Sequence, residues 1–283
     1  MLFDTQTIDL DLSRDYPGVF ETLLRDHTTQ KNIFWATHNY RDLGERYSFK
    51  APILPELISG DKNRIIIPRV QKDDFAQQVR VKEMAEVFTP SWVCNAQNNL
   101  IDEAWFGRSG VFNTEIIGAD GKRGWVTNPE PVSFPEGKTW LDYVQDTRLE
   151  ITCGEAPYIT SRYDTTTGDF ISIAERIGLL DRKLRVINEN VHNSTDWLKA
   201  AQLAYKSTYA YEWQGDSLLI ARESMLKTFF ENFEAKFSRK PFERSLKYIA
   251  YIISWNVWQM DGLKAVIPDS CGITETVTEN FFG

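Results

Sequence analysis

Three short stretches place polar or acidic residues just past an apolar run. They are Thr152 to Glu155 in "LEITCGEAP", Glu212 in "YAYEWQGD" and Asp261 in "NVWQMDGL". A carboxylate at the end of the second strand of a nucleotide-binding unit can accept hydrogen bonds from both ribose hydroxyls. Glycine beside such a strand end lets backbone approach a ligand, because glycine has no Cβ. Gly154 meets that need in the first stretch. Each stretch alone has an ordinary explanation: a loop, a solvated glutamate, a turn before Gly262. Their recurrence at successive strand ends is what points to a ligand.

The intervening elements give these ends a common frame. "TWLDYVQD" carries Thr139 followed by Asp142, a capping box for a short helix, and Leu149 to Thr152 reads as a strand. Ile173, Ile177, Leu180, Leu184 and Ile187 recur at helical spacing, and Ser194 or Thr195 caps a further helix. Tyr209 to Tyr211 reads as a strand, followed by a long helix with Leu218, Leu219, Met225, Phe229 and Phe233 on one face. Pro241 opens another helix, and a short strand precedes the turn at Asp261. Strands alternating with helices predict βαβ units and a parallel sheet, whose ligands bind outside the carboxyl ends of the strands.

Upstream, "NRIIIPRV" (residues 63–70) predicts a short buried strand, and residues 73–87 lean helical. Thr89 as N-cap and Pro90 at the first position predict a helix to about residue 105, with Val93, Ala96, Leu100, Ile101 and Ala104 as its apolar face. Residues 110–128 predict a hairpin turning at Ala119 to Gly121. The expected division is a mixed α/β region over 1–82 and a second domain over 83–283.

Composition removes several chemistries. His27, His38 and His192 stand far apart, and the cysteines are Cys94, Cys153 and Cys271. This set suits neither a zinc site nor a disulfide framework, and no Ser-His-Asp triad is expected. A net charge of −8 makes autonomous binding to nucleic acid poor. No apolar run is long enough for a membrane span and the first residues lack a secretory pattern, so the expected compartment is the cytoplasm.

Taken together, "EVFTP" (Glu86 to Pro90), "LEITCGEAP", "YAYEWQGDSLLIAR" and "NVWQMDGL" resemble, in order, the cofactor-binding motifs of S-adenosylmethionine-dependent DNA adenine-N6 methyltransferases, the modification subunits of restriction systems. The resemblance covers residues 83–264. It implies a Rossmann-like, partly parallel methyltransferase sheet in an α/β chain, complete or incomplete according to what meets its first strand. It implies that Phe88, Thr89 and Pro90 cap the methionine end of S-adenosyl-L-methionine. Glu150, Thr152, Cys153, Gly154, Glu155 and Ala156 form the first motif. Glu212 holds the ribose, Trp213 lies on the adenine, and Asp261 with Leu263 receives the adenine amino edge. No metal is implied.

The chain departs from the family at three points. Ala156-Pro157 stands where a second glycine is usual, and Gly154 and Glu212 are separated by more than the minimal βαβ spacing of about 20 residues. The family's catalytic Asp, Asn or Ser followed by Pro-Pro and Tyr or Phe is not found; Asn128-Pro129 in "TNPEPVSF" is only a partial version, ahead of the first motif. Catalytic residues are therefore unassigned. DNA recognition is expected to need a partner chain, such as a restriction or specificity subunit or a second copy, or sequence beyond this chain. Arg108, Lys122, Arg123 and "DRKLR" (Asp181 to Arg185) offer basic positions for phosphate, the last reading better as a solvated helix face. The open edge of the first strand would be met by a longer chain, a second chain, or the segments around Ile65–Ile67 and Phe112–Ile117. The alternative function is a non-catalytic subunit or scaffold on the same fold. A dehydrogenase is disfavoured by the lack of a G-x-G-x-x-G run.

Overall fold

The computed structural model describes residues 10–60, 65–72, 89–262, 264 and 266–268. Helices α1 (Leu12–Asp15) and α2 (Pro17–Leu24) come first, with Asp11 capping α1 through the amides of Ser13 and Arg14. The two-residue strands β1 (Arg25–Asp26) and β2 (Lys31–Asn32) pair antiparallel, and the single turn α3 (Pro55–Ile58) follows. Next come α4 (Ser91–Phe106) and the hairpin of β3 (Asn113–Ile117) and β4 (Arg123–Thr127). Helix α5 (Trp140–Gln145) starts at the expected capping box, with Thr139 and Asp142 exchanging hydrogen bonds. Then follow β5 (Arg148–Ile151), α6 (Leu179–Asn190), α7 (Ser194–Lys206), β6 (Thr208–Glu212), α8 (Gly215–Phe237), α9 (Glu243–Asn256) and β7 (Val257–Gln259).

The protein is a mixed α/β fold whose principal sheet is parallel, in the order β5-β6-β7. Register sorts its side chains onto two faces. Arg148, Thr208, Ala210, Glu212, Val257 and Gln259 lie on the covered face and are buried, and the half-buried Glu150 lies among them. On the other face Leu149 is 45 % and Ile151 50 % exposed, beside the half-buried Tyr209, Tyr211 and Trp258. Parallel sheets are normally buried on both faces, so this apolar, aromatic face is unusual. Among the described residues strand β5 also forms an edge: β3 pairs with β4 alone, and Ile65 to Pro68 is not a strand. Pro68 lacks the N–H that a ladder needs.

The core is built around α8, which is buried along most of its length. Trp197 and Tyr205 of α7 pack against its Phe229, and Trp197 also meets Phe233. The N-terminal residues join this core. The amide N–H of Phe34 donates to the Gln259 side chain at 2.9 Å, and the Gln259 amide returns a bond to the Phe34 carbonyl at 2.7 Å. No helix among the described residues is long and apolar enough to cross a membrane.

Two sequence expectations about helix faces are corrected. Helix α4 is present, but Leu100 is 65 % and Ile101 40 % exposed, while Cys94, Asn95, Asn98 and Asp102 are buried. The polar side is buried because most of its hydrogen-bonding groups are engaged, Asn98 Oδ1 being an exception. Asn95 and Asn113 exchange hydrogen bonds, Arg182 reaches Asn95, Asn99 and Asp102, and Tyr143 donates to Asp102. For the same reason "DRKLR" is not a solvated face: Asp181, Arg182 and Lys183 are all buried. Helix caps also shift by one position. Pro90, not Thr89, is the N-cap of α4, and Asn193 caps α7 by accepting from Asp196. The helix expected over residues 173–190 begins instead at Leu179, after Gly178, with an isolated 3-10 turn at Ile173–Glu175.

Candidate functional site

The site is the carboxyl end of the parallel sheet. Leaving β5, Thr152, Gly154 and Ala156 all take left-handed backbone conformations, with φ of 55°, 56° and 59°. The alternation turns the chain sharply, and the Cys153 amide still joins the ladder through the Tyr211 carbonyl at 2.8 Å. Gly154 has open space around it, with no atom within 4 Å of where a Cβ would stand. Thr152 is β-branched, and that conformation is strained for it. Thr152→Gly is therefore expected to stabilise the fold by about 1 kcal/mol, read as a higher urea midpoint at unchanged slope. A lower midpoint would contradict the strain argument.

Glu212, buried at the end of β6, ties the two loops. Its Oε2 accepts the Gly154 amide at 2.7 Å and its Oε1 the Gln214 amide at 2.9 Å. A carboxylate has about four acceptor positions, so these bonds leave capacity for a ligand. Burial pushes the Glu212 carboxyl above its ordinary range, opposed by the amides of Gln214 and Gly154. Trp213 is half-buried and meets Phe34 edge-on at 5.7 Å.

Glu150 lies one layer below Glu212 on the covered face. Its Oε2 is shut off from solvent and has no hydrogen-bond partner among the described residues. Burial raises this carboxyl well above the usual range, the Tyr158 and Ile159 amides oppose the shift, and the Glu212 charge adds to it. Sequence reasoning missed Cys94 and Tyr158. Glu150 acts electrostatically on both, and Tyr158 links Cys94 to Thr89. That chain of contacts brings Thr89 and Pro90 to the β5 end of the site. Burial pushes the Cys94 thiol up to about 12, and Cys153 is raised as well, so neither is a thiolate nucleophile near neutral pH.

The remaining sequence candidates are placed as follows. Glu155 is buried and turned to the other side of the loop, accepting the Arg69 amide at 2.8 Å and the Tyr163 hydroxyl. Asp261 receives the Lys264 amide at 3.0 Å and forms a bridge with Val266. Gly262 packs closely on β5, where a Cβ would fall 2.7 Å from Ile151 Cγ2. The turn after β7 therefore crosses to the end of β5. Glu86, Val87, Phe88 and Leu263 lie outside the described residues. Asn128 is structural, donating to the carbonyls of Gly110 and Val111. Among the described residues, no cluster of His, Cys, Asp and Glu could hold a metal.

This arrangement can hold a ligand that offers hydroxyl donors and a positive charge. It has an open backbone at Gly154, an acceptor at Glu212 and an uncompensated buried carboxyl at Glu150. Comparison with protein-family models, with curated proteins and with solved structures finds no match to this chain.

Proposed function

We propose that this chain is an S-adenosylmethionine-binding component of a DNA adenine-N6 methyltransferase of the restriction-modification type, built on a Rossmann-like sheet. The observation that carries the proposal is the pair of buried carboxyls, Glu150 and Glu212, beside the open Gly154 backbone at the carboxyl ends of parallel strands. The residues fit such a cofactor. Glu150 has a buried oxygen with no partner among the described residues, and Glu212 has acceptor positions suited to ribose hydroxyls. When bound, the cofactor supplies a methyl group on a sulfonium centre, and the protein supplies orientation and electrostatics. Glu212 holds the ribose end, the Thr152–Ala156 turn forms the floor, and the Asp261 turn closes the β7 side.

Calorimetry tests the reading. The wild-type chain is expected to bind S-adenosylmethionine, and Glu212→Gln to bind it about tenfold more weakly, through loss of a charge-assisted acceptor. Absence of binding by the wild type would overturn the proposal.

A second reading, a non-catalytic subunit on the same fold, is favoured by the exposed Leu149 and Ile151 on one face of the parallel sheet. Such a face suits assembly with further polypeptide. Transfer of a labelled methyl group to DNA separates the two: cofactor binding without transfer, with or without added partner subunits, supports the scaffold.

A further inference from the structure

We propose that the outer face of α9 is a binding surface for single-stranded DNA, on which aromatic rings stack bases and flanking cations hold phosphates. The surface shares no residue with the candidate site. It does not rest on the cofactor reading above; only the choice of DNA over RNA does.

Five Phe, Tyr and Trp side chains are exposed among the described residues. One is Phe170, and the other four stand on α9 or its N-cap: Phe242, Tyr248, Tyr251 and Trp255. The inner side of the same helix is ordinary core, with Leu246, Ile249, Ala250, Ile252 and Ile253 buried. Tyr248, Tyr251 and Trp255 are three and four positions apart, so they share one stripe. From Phe242 to Trp255 the helix rises about 20 Å, long enough for several bases. A single exposed ring is unremarkable on a protein surface, whereas a contiguous group marks an interaction site. The platform is also ordered in advance. His27 stacks on Trp255 at 4.2 Å between centroids and 6° between planes, and it meets Tyr251 edge-on at 5.3 Å. Its Nε2 lies 2.8 Å from Ser254 Oγ, which fixes the imidazole. A ring held in place before binding loses less freedom on engagement.

Charge selects the partner. The chain carries −8 overall, yet cations gather at these rings. Arg239 and Arg244 each stand 5.4 Å from the Phe242 ring, and Lys206 stands 5.7 Å from the Tyr248 ring. Lys240 and Lys247 are exposed on the same segment, where Glu243 is the single carboxylate between residues 238 and 256. Helix α2 packs beside α9 and adds Glu21, and α1 adds Asp15, which Arg14 pairs at 2.8 Å. The face is therefore locally positive on an acidic chain. A polyanion whose repeating unit carries a flat ring satisfies both the cations and the aromatic stripe, and single-stranded nucleic acid has that chemistry. A duplex offers the phosphates but keeps its base faces stacked inside.

The test is fluorescence anisotropy of the whole chain with a labelled thymidine oligonucleotide of about 20 residues, starting at about 50 mM salt. Binding is expected, and four or five phosphate contacts give a log–log salt slope of about −3. A duplex of equal length should bind about tenfold more weakly. Tyr248→Ala and Tyr251→Ala should each weaken binding about tenfold, and Tyr251→Phe should restore it because the ring remains. Arg244→Gln with Lys247→Gln should flatten the salt slope by about 1.4, a readout that a change in folding does not mimic. Lys122→Gln, on the β3–β4 hairpin, is the control and should bind as wild type does. No binding at the lowest salt, equal affinity for the duplex, or unaltered binding by the ring variants overturns the proposal. Tighter binding of a uridine oligonucleotide overturns the assignment to DNA. Sedimentation with phosphatidylserine–phosphatidylcholine vesicles, without binding to the oligonucleotide, would make the face a membrane contact instead. Cofactor binding is measured separately by calorimetry, so failure of this surface leaves that reading standing, and failure of that reading leaves the surface.

Discussion

Arg222→Met is expected to cost the fold about 3–5 kcal/mol, enough to leave much of the chain unfolded under mild conditions. Arg222 is 1 % exposed and lies on α8 at the centre of the molecule. Its guanidinium donates to the carbonyls of Leu23 and Arg25, at the end of α2, and to those of Ser254 and Val257, at the end of α9. Carbonyls in the last turn of a helix have no partner within the helix, and both helix ends carry partial negative charge. One buried cation thus satisfies two helix termini. Burial lowers its pKa to about 10, and it stays charged near neutral pH. Methionine keeps the volume and strands the carbonyls, each costing about 1–3 kcal/mol when buried without a donor. Arg222→Lys should recover only part of the loss, because an ammonium cannot reproduce the planar fork. Urea unfolding at unchanged slope measures the effect, and a loss below about 1 kcal/mol would show that the carbonyls find other donors.

Gly215→Ala is the second large expected effect, and it reaches the candidate site. A Cβ at Gly215 would stand 2.1 Å from the Phe34 carbonyl oxygen and 2.9 Å from Ile53 Cδ1. The first of these is backbone and cannot swing aside. The Gly215 amide also donates to the Trp35 carbonyl at 2.9 Å, so the start of α8 and the segment around Phe34 are locked together. Relieving the clash means breaking that bond and shifting Trp213 and Gln214, the residues that follow Glu212. The expected cost is about 3 kcal/mol, read as a melting temperature lowered by about 6 °C, together with weaker cofactor binding. Gly124→Ala is the control. No atom lies within 4 Å of its Cβ position, and the change should stay within about 0.5 kcal/mol. Equal melting temperatures for the two variants would refute the steric argument.

Local signals carried the elements well. The capping box at Thr139, the hairpin over residues 113–127 and the three strands ending near Thr152, Glu212 and Gln259 follow from residue types read over short windows. Such signals are local because dihedral preference and side-chain period act within a few residues. The same windows failed for Ile65–Pro68, an apolar run with no strand beside it. Helix α4 was legible as a helix, yet its buried side was not. Periodicity selected Leu100 and Ile101, whereas Asn95, Asn98 and Asp102 are inside, matched by Arg182, Asn113 and Tyr143 from distant segments. A polar side chain can be buried only where its partners stand, and partners far away in sequence leave no trace in a local window.

The candidate site divides in the same way. By itself the sequence determined that polar and acidic residues follow successive strands, because that pattern is written in adjacent residues. Tertiary structure decided what each carboxylate does. Glu155 turns to Arg69 and Tyr163, and Glu212 gathers the amides of Gly154 and Gln214. Glu150 keeps one buried oxygen without a hydrogen-bond partner among the described residues. Tertiary structure also left Leu149 and Ile151 exposed on one face of the parallel sheet. The reason is physical. Strand propensity is a property of neighbouring residues, whereas charge compensation and burial are properties of everything packed around a group once the chain has folded.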